Sequence, residues 1–225
     1  MRKIISICIL CLASSGITSA AIPKFQYEFD PAQLVVKWEA YKTNEKLAVA
    51  GKFMKSETKA MRTKDASLEV LMKGVRTTVS LNSVDSGNPA RDTNLKKAFF
   101  EKFVKAAAAT AQGRILSVQA ENEAETSGKL LMELRMNGVT HPVEMRYQVT
   151  ERKSEKGKEP TLEWSAKGSF NFLQWGLDDA LDALNKACGD LHKGKDGVSR
   201  TWPEVELTLT MPLKKIAIVK GGGLK

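Results

Sequence analysis

Two residues near the carboxyl end of the chain, Cys188 and His192, have side chains that bind transition metals. They are four residues apart, so on a helix they would share one face and could together bind zinc, copper or haem iron. The other histidine, His141, falls in a predicted turn, and the sequence indicates no third or fourth ligand. We favour a buried free cysteine and a histidine at a helix end. A haem- or metal-binding redox or stress protein stays as an alternative.

An adjacent arginine and aspartate, Arg91 and Asp92, form the second candidate site. The planar guanidinium group of arginine suits a phosphate or a quinone carbonyl. The neighbouring carboxylate would weaken anion binding by Arg91, however, so the pair could instead brace the following helix as a salt bridge or cap. Both interpretations stay open at this point.

Motifs for catalysis are lacking in the sequence. We find no glycine-rich phosphate loop, no Gly-x-Ser-x-Gly, no His-Glu-x-x-His and no convincing pair of carboxylates. The chain is therefore not expected to be an enzyme or to need a cofactor.

A strand and a helix flank the Arg-Asp pair. Val75, Thr77, Val79 and Leu81 alternate with polar residues, which predicts a half-buried strand over residues 75–82. Asn88 and Pro89 are typical of a helix N-cap and first turn. Leu95, Phe99 and Phe103 then recur at four-residue steps, which predicts one apolar face on a helix over residues 91–109. Shorter helices are predicted over residues 65–73 and 177–192.

Eight segments alternate between apolar and polar residues, so each predicted strand has one dry and one solvated face. This pattern is typical of antiparallel sheets, in either a barrel or a sandwich. The predicted strands are Leu34 to Tyr41, Leu47 to Met54, Val75 to Asn82, Arg114 to Glu121, Lys129 to Met136, Val143 to Thr150, Leu162 to Phe170 and Glu204 to Met211.

The first 20 residues have the pattern of a cleaved signal peptide: a positive start, an apolar run and a small-residue cleavage site. We therefore expect a periplasmic or secreted protein with one domain over residues 21–219 and a disordered tail over residues 220–225. Removing Arg2 and Lys3 lowers the formal net charge from +9 to +7. The lysines are scattered, which favours transient contact with an anionic membrane surface over nucleic-acid binding.

Several short motifs resemble those of the YceI-like family, lipocalin-like periplasmic proteins that bind polyisoprenoids. They occur in the family's order along the chain: Tyr27-Glu-Phe-Asp30, Val49-Ala-Gly-Lys-Phe53, Ser83-Val-Asp-Ser86, Arg91-Asp-Thr-Asn-Leu-Lys96 and Gly138-Val-Thr-His-Pro-Val143. The family usually has histidine where this chain has Asn94. The resemblance implies a mainly β fold, an eight-stranded antiparallel lipocalin-like barrel with inserted helices.

The resemblance also implies that the barrel interior holds a long isoprenoid, quinone or acyl lipid, in a monomer or a homodimer. A packed interaction module without a ligand is the other alternative. We expect these residues to contact the ligand: Trp38, Phe53, Val79, Leu81, Arg91, Leu95, Phe99, Phe103, Met132, Leu134, Met145, Tyr147, Trp164, Phe170, Phe172 and Leu177.

Overall fold

An antiparallel sheet of twelve strand segments forms most of the structure. The structure is a computed structural model that describes residues 25–103, 109–152 and 161–218. The strands are β1 (Phe25–Glu28), β2 (Val35–Lys42), β3 (Leu47–Phe53), β4 (Ser56–Lys59), β5 (Lys64–Asp65), β6 (Arg76–Ser80), β7 (Val84–Asp85), β8 (Thr110–Ala120), β9 (Ser127–Met136), β10 (Val139–Arg152), β11 (Thr161–Asn171) and β12 (Thr201–Ala217).

The sheet curls round until its two ends meet. Its strand order is β4-β6-β8-β9-β10-β11-β12-β2-β3-β7, while β1 pairs with β12 and β5 outside this order. β3 continues along the chain into β4, and β6 continues into β7. The backbone hydrogen bonds from Met54 N to Ser83 O and from Ser80 N to Lys55 O, both 3.0 Å, join the β3/β7 pair to the β4/β6 pair. One curled sheet therefore surrounds the core, and the sandwich alternative is wrong.

All eight predicted strands are present, and the mainly β, antiparallel fold is confirmed. The strand count differs because β1, β4, β5 and β7 contain only two to four residues. Segments this short give too few alternating positions to be recognised by periodicity. The predicted leader and tail lie outside the described residues.

In the part of the chain that the structure describes, three α-helices interrupt the strands: α1 (Leu68–Met72), α2 (Pro89–Asn94) and α3 (Asp178–Cys188). α2 continues as a π-helical turn, Leu95–Phe99, and a 3-10 turn, Phe100–Lys102. Further 3-10 turns are Pro31–Gln33, Leu81–Ser83, Phe172–Trp175 and Gly189–His192. Within the described ranges, none of these helices is long and apolar enough to cross a membrane.

Two of the predicted helices end earlier than expected. α3 stops at Cys188 because the next residue, Gly189, has φ = +44° and ψ = −117°, which breaks the helical geometry. The aromatic helix ends by Lys102, and the next strand already starts at Thr110. The prediction that this helix reaches Ala109 is therefore wrong.

The core inside the sheet has a densely packed region around Tyr147 and Trp164. Their rings stack with centroids 6.3 Å apart, and both side chains are almost fully buried. The sheet approaches Tyr147 so closely that a Cβ atom added at Gly128 would lie 2.5 Å from the Tyr147 ring. Burial raises the pKa of Tyr147 to about 12, with smaller contributions from Glu125 and Glu69.

Candidate ligand-binding cavity

Residues 88–103, here called the lid, lie across the other part of the barrel interior. The Asn88 side chain caps α2 by accepting a hydrogen bond from Arg91 N at 3.1 Å. Asp92 accepts hydrogen bonds from Ser86 N at 3.0 Å and from Ser86 Oγ at 2.6 Å. These contacts tie the start of the lid to the end of β7.

Aromatic side chains hold the lid against the sheet. Phe99 is nearly fully buried and packs edge-on against Phe172, with ring centroids 4.8 Å apart. Phe100 lies 5.3 Å from Phe99 and 6.3 Å from Phe53 of β3. Such tilted and edge-to-face pairs add stabilisation beyond simple burial. The lid is thus attached mainly by apolar contacts.

Beneath the lid is an apolar cavity with a volume of about 120 Å³. No charged side chain of the described residues lines it, and Thr77 and Thr201 provide the side-chain hydroxyl groups. Most of the lining comes from aliphatic and aromatic residues on the inner faces of the strands. The cavity can therefore bind the apolar part of a molecule but offers little for chemical reaction.

Ten of the sixteen expected ligand-contacting residues line this cavity: Trp38, Phe53, Val79, Leu81, Leu95, Phe99, Met132, Leu134, Phe170 and Phe172. They come together from five strands and three helical segments. Their contact with a ligand stays a prediction.

Four apolar residues that we expected at the site lie outside the lining. Tyr147 and Trp164 stack on each other in the packed region, and Met145 packs over Gly168, where an added Cβ would lie 2.7 Å from Met145 Cγ. Leu177 is buried at the start of α3. These side chains face inward as predicted, but they fill the core instead of bordering the cavity.

Phe103 and Arg91 also lie outside the lining, and Phe100 takes a place that the sequence analysis missed. The four-residue spacing of Leu95, Phe99 and Phe103 assumed a regular α-helix. The π-helical turn accommodates one more residue, so Phe100 joins Leu95 and Phe99 on the cavity side. Phe103 instead packs behind them, 5.7 Å from Phe100.

Other lining residues were missed although strand alternation pointed to them. Val75 and Thr77 share the inward face of Val79, and α3 contributes Leu181 and Leu184 from its apolar stripe. The remaining missed positions are Leu34, Val36, Ala40, Ala111, Gly113, Ile115, Met136, Thr201, Trp202, Val205, Leu207 and Leu209.

Cys188 and His192 have separate partners. The Asn94 amide donates to Cys188 Sγ at 3.8 Å, whereas His192 Nδ1 lies 2.8 Å from Thr201 Oγ1. Since α3 ends at Cys188, the two residues do not share one helical face as we expected. The described residues contain no group of three or more candidate metal ligands. The geometry therefore does not favour the metal alternative.

The family profile described as YceI-like domain matches residues 27–211, most of the chain. The chain belongs to the YceI-like family. The match includes both the strands around the cavity and the lid.

Solved structures share this YceI-like fold. BcnA of Burkholderia cenocepacia is 13% identical with a TM-score of 0.55, and the alignment covers 82% of this chain and 99% of BcnA. A polyisoprenoid binding domain from Saccharophagus degradans is also 13% identical with a TM-score of 0.53, covering 85% of this chain and 98% of that domain. No curated protein matched the chain.

Proposed function

We propose that this YceI-like protein binds and carries a long-chain amphiphile, such as a polyisoprenoid, an isoprenoid quinone or a fatty-acid derivative. The observation that supports this most directly is the apolar cavity enclosed by the sheet and the lid. Apolar burial contributes about 25 cal/mol per Å², so a chain that buries roughly 400 Å² gains about 10 kcal/mol before the costs of association. Binding, without a catalysed reaction, is the proposed role.

The similarity to the Saccharophagus degradans domain supports the proposed ligand class, because that domain is described as polyisoprenoid binding. The family match extends over the cavity-lining strands. At 13% identity, the comparison supports the proposal only through the shared fold. The apolar lining of this chain's own cavity is the chemical argument for a lipid ligand.

The size of the cavity implies that it widens when a long chain enters. Its volume of about 120 Å³ is below the roughly 300 Å³ at which small-molecule pockets begin. Flexible Met132 and the short, irregular turns of the lid are the parts that can adjust most easily. We infer that ligand uptake displaces the lid and leaves the sheet in place.

We also propose that the protein works in the periplasm or outside the cell and meets its ligand at a membrane surface. One tip of the structure, residues 43–47 and 189–200, combines exposed Leu47, Leu191 and Val198 with four cationic residues against three carboxylates. The Lys195 amide donates to Glu45 Oε1 at 3.0 Å, which joins the two loops. Exposed apolar residues beside cations suit the surface of an anionic bilayer.

Extraction of the purified protein with organic solvent, followed by mass spectrometry, tests the proposed function. We expect a co-purified amphiphile in the unmodified protein. The variant Ala111→Phe places a large ring at a lining position and should lose it, whereas Leu173→Phe alters an exposed residue outside the lining and should retain it. An extract without lipid, together with no uptake of added isoprenoids or fatty acids, would refute the proposal.

A further inference from the structure

We propose that the end of the cavity near Thr201 binds an anionic head group, a carboxylate or a phosphate, through Lys42 and Arg91. This inference rests on the proposed function and names the ligand class more narrowly. Among the amphiphiles considered above, it selects those with a negatively charged end over neutral quinones and alcohols.

Lys42 lies where the apolar inner face of β2 ends. Val36, Trp38 and Ala40 alternate along β2 and line the cavity. Lys42 is the next residue with the same parity, so its side chain starts on the cavity face. It pairs across the sheet with Thr201, which also lines the cavity. A cation therefore follows directly after the apolar lining.

The ammonium group of Lys42 has no carboxylate partner among the described residues. Its Nζ donates to the backbone carbonyl oxygen of Leu191 at 3.1 Å. That neutral contact leaves the charge uncompensated and further donors free for a ligand.

Arg91 supplies a second cation from the lid. Its side chain is half-buried, and in the described ranges its guanidinium group forms neither an ion pair nor a hydrogen bond. The neighbouring Asp92 is held by Ser86, and Arg91 and Asp92 form no salt bridge among the described residues, which was one of the interpretations left open by the sequence. The guanidinium group therefore keeps its planar set of donors available for a bound carboxylate or phosphate.

Lys42 of β2 and Arg91 of the lid both influence the pKa values of the same two side chains, Cys188 and His192. Burial, together with the nearby charges of Lys42 and Arg91, lowers the pKa of His192 to about 4. Burial raises the pKa of Cys188, while the Asn94 hydrogen bond and these same two cations oppose the increase. No carboxylate of the described residues contributes to either shift. The contacts agree, because Lys42 Nζ bonds to the backbone of Leu191, next to His192, and Asn94, one turn after Arg91 in α2, bonds to Cys188. The space around Cys188 and His192 is therefore cationic.

The nearest polar groups complete a site without negative charge. Thr201 Oγ1 contacts His192 Nδ1 at 2.8 Å and Asn185 Oδ1 at 3.4 Å. The acidic residues of the neighbouring loops are engaged elsewhere. Asp190 pairs with Lys193 at 2.5 Å, Asp196 pairs with Arg200 at 3.8 Å, and Glu45 accepts a hydrogen bond from Lys195 N at 3.0 Å. An anion at this end would meet two cations and neutral donors, with its apolar chain in the cavity.

Binding of three probes with the same sixteen-carbon chain, hexadecanoate, hexadecyl phosphate and hexadecanol, tests the proposal by titration calorimetry. We expect either anion to bind at least about tenfold more tightly than the alcohol, and the stronger of the two identifies carboxylate or phosphate as the preferred head group. Lys42→Met and Arg91→Met should each reduce anion affinity about tenfold and leave hexadecanol affinity within about twofold. Lys37→Met, at an outward position of β2, should change neither.

A salt titration of the unmodified protein gives the same information without any variant. Anion affinity should fall as ionic strength rises, while hexadecanol affinity should stay constant. Equal affinity of the unmodified protein for the alcohol and both anions would overturn the head-group site. An equal loss of affinity for all three probes in the two variants would do the same. Either result would leave the proposed lipid binding intact. If none of the probes binds, the proposed function fails as well.

Discussion

The side-chain amide of Asn94 donates a hydrogen bond to the thiol of Cys188 at 3.8 Å, across 94 positions of sequence. Asn94 ends α2 in the lid, and Cys188 ends α3, so the contact joins the two helical parts that cover the cavity. The bond is weak because sulfur is a poor acceptor. The lid is therefore retained chiefly by its apolar side and can be displaced.

Cys188 should report on opening of the lid. The thiol is 7% exposed, and burial raises its pKa, so little reactive thiolate is available in the closed protein. We expect a thiol reagent at pH 7.5 to label native protein at least about a hundredfold more slowly than unfolded protein. Asn94→Ala should accelerate native labelling. Equal rates in native and unfolded protein would contradict this prediction.

Phe99 should control how long a ligand stays bound. Replacement of a buried phenylalanine by alanine costs about 3–5 kcal/mol of stability, and Phe99→Ala also removes the contact with Phe172. We expect faster dissociation of a bound fluorescent fatty acid, measured by stopped flow. The control is Leu173→Ala, at a residue that is 45% exposed. An unchanged dissociation rate in folded Phe99→Ala would show that the lid does not retain the ligand.

His192 should make the protein less stable in mild acid. Its pKa is about 4 in the folded protein and 6.5 without the protein environment, so between these values the unfolded chain binds more protons. The stabilisation is complete above pH 6.5 and is lost as the pH falls towards 4. We expect a loss of about 1–2 kcal/mol, a value reduced for solvent screening of the partly exposed ring.

Urea unfolding at pH 7 and pH 4.5 measures this effect. In the variant His192→Asn, whose amide can replace Nδ1 opposite Thr201, the pH-dependent loss should be smaller than in the unmodified protein. The same loss in both proteins would assign it to other groups.

Gly128 should tolerate no side chain. A Cβ atom there would collide with the backbone oxygen of Gln119 and lie 2.5 Å from the Tyr147 ring. We expect Gly128→Ala to lower the free energy of unfolding by about 3 kcal/mol or more. Gly113→Ala is the matched control, because its Cβ would lie 3.0 Å from the flexible Met132 sulfur, which can move. Equal urea midpoints for the two variants would contradict the packing described here.

The tip at residues 43–47 and 189–200 should bind anionic vesicles. We expect the protein to float with phosphatidylglycerol vesicles at low salt and to separate from phosphatidylcholine vesicles. Leu191→Asp should reduce flotation, since Leu191 is 68% exposed on the tip. Met61→Asp is the control, because Met61 is 83% exposed in the connection before β5, near the opposite end of β12. Equal loss in both variants would refute a specific role of the tip.

Periodicity predicted much of the site because residue spacing determines which face a side chain occupies. Val79 and Leu81 were placed on the inward face of their strand and do line the cavity. The same argument placed Tyr147 and Trp164 inward, but it could not tell whether they lie beside the cavity or in the packed region of the barrel. Depth depends on strand register and on close approaches such as Gly128 beneath Tyr147, which involve residues far apart in sequence.

Alternating apolar residues by themselves determined that this chain forms antiparallel strands with one dry face, and short motifs indicated its family. Only the tertiary structure decided which inward residues border the cavity, and it gave the buried Cys188 and the helix-end His192 two separate contacts. It also brought Lys42 of β2 into contact with Leu191, and Asn94 of the lid into contact with Cys188. Such neighbours arise from closure of the sheet and docking of helices, and a local sequence pattern carries no record of these long-range contacts.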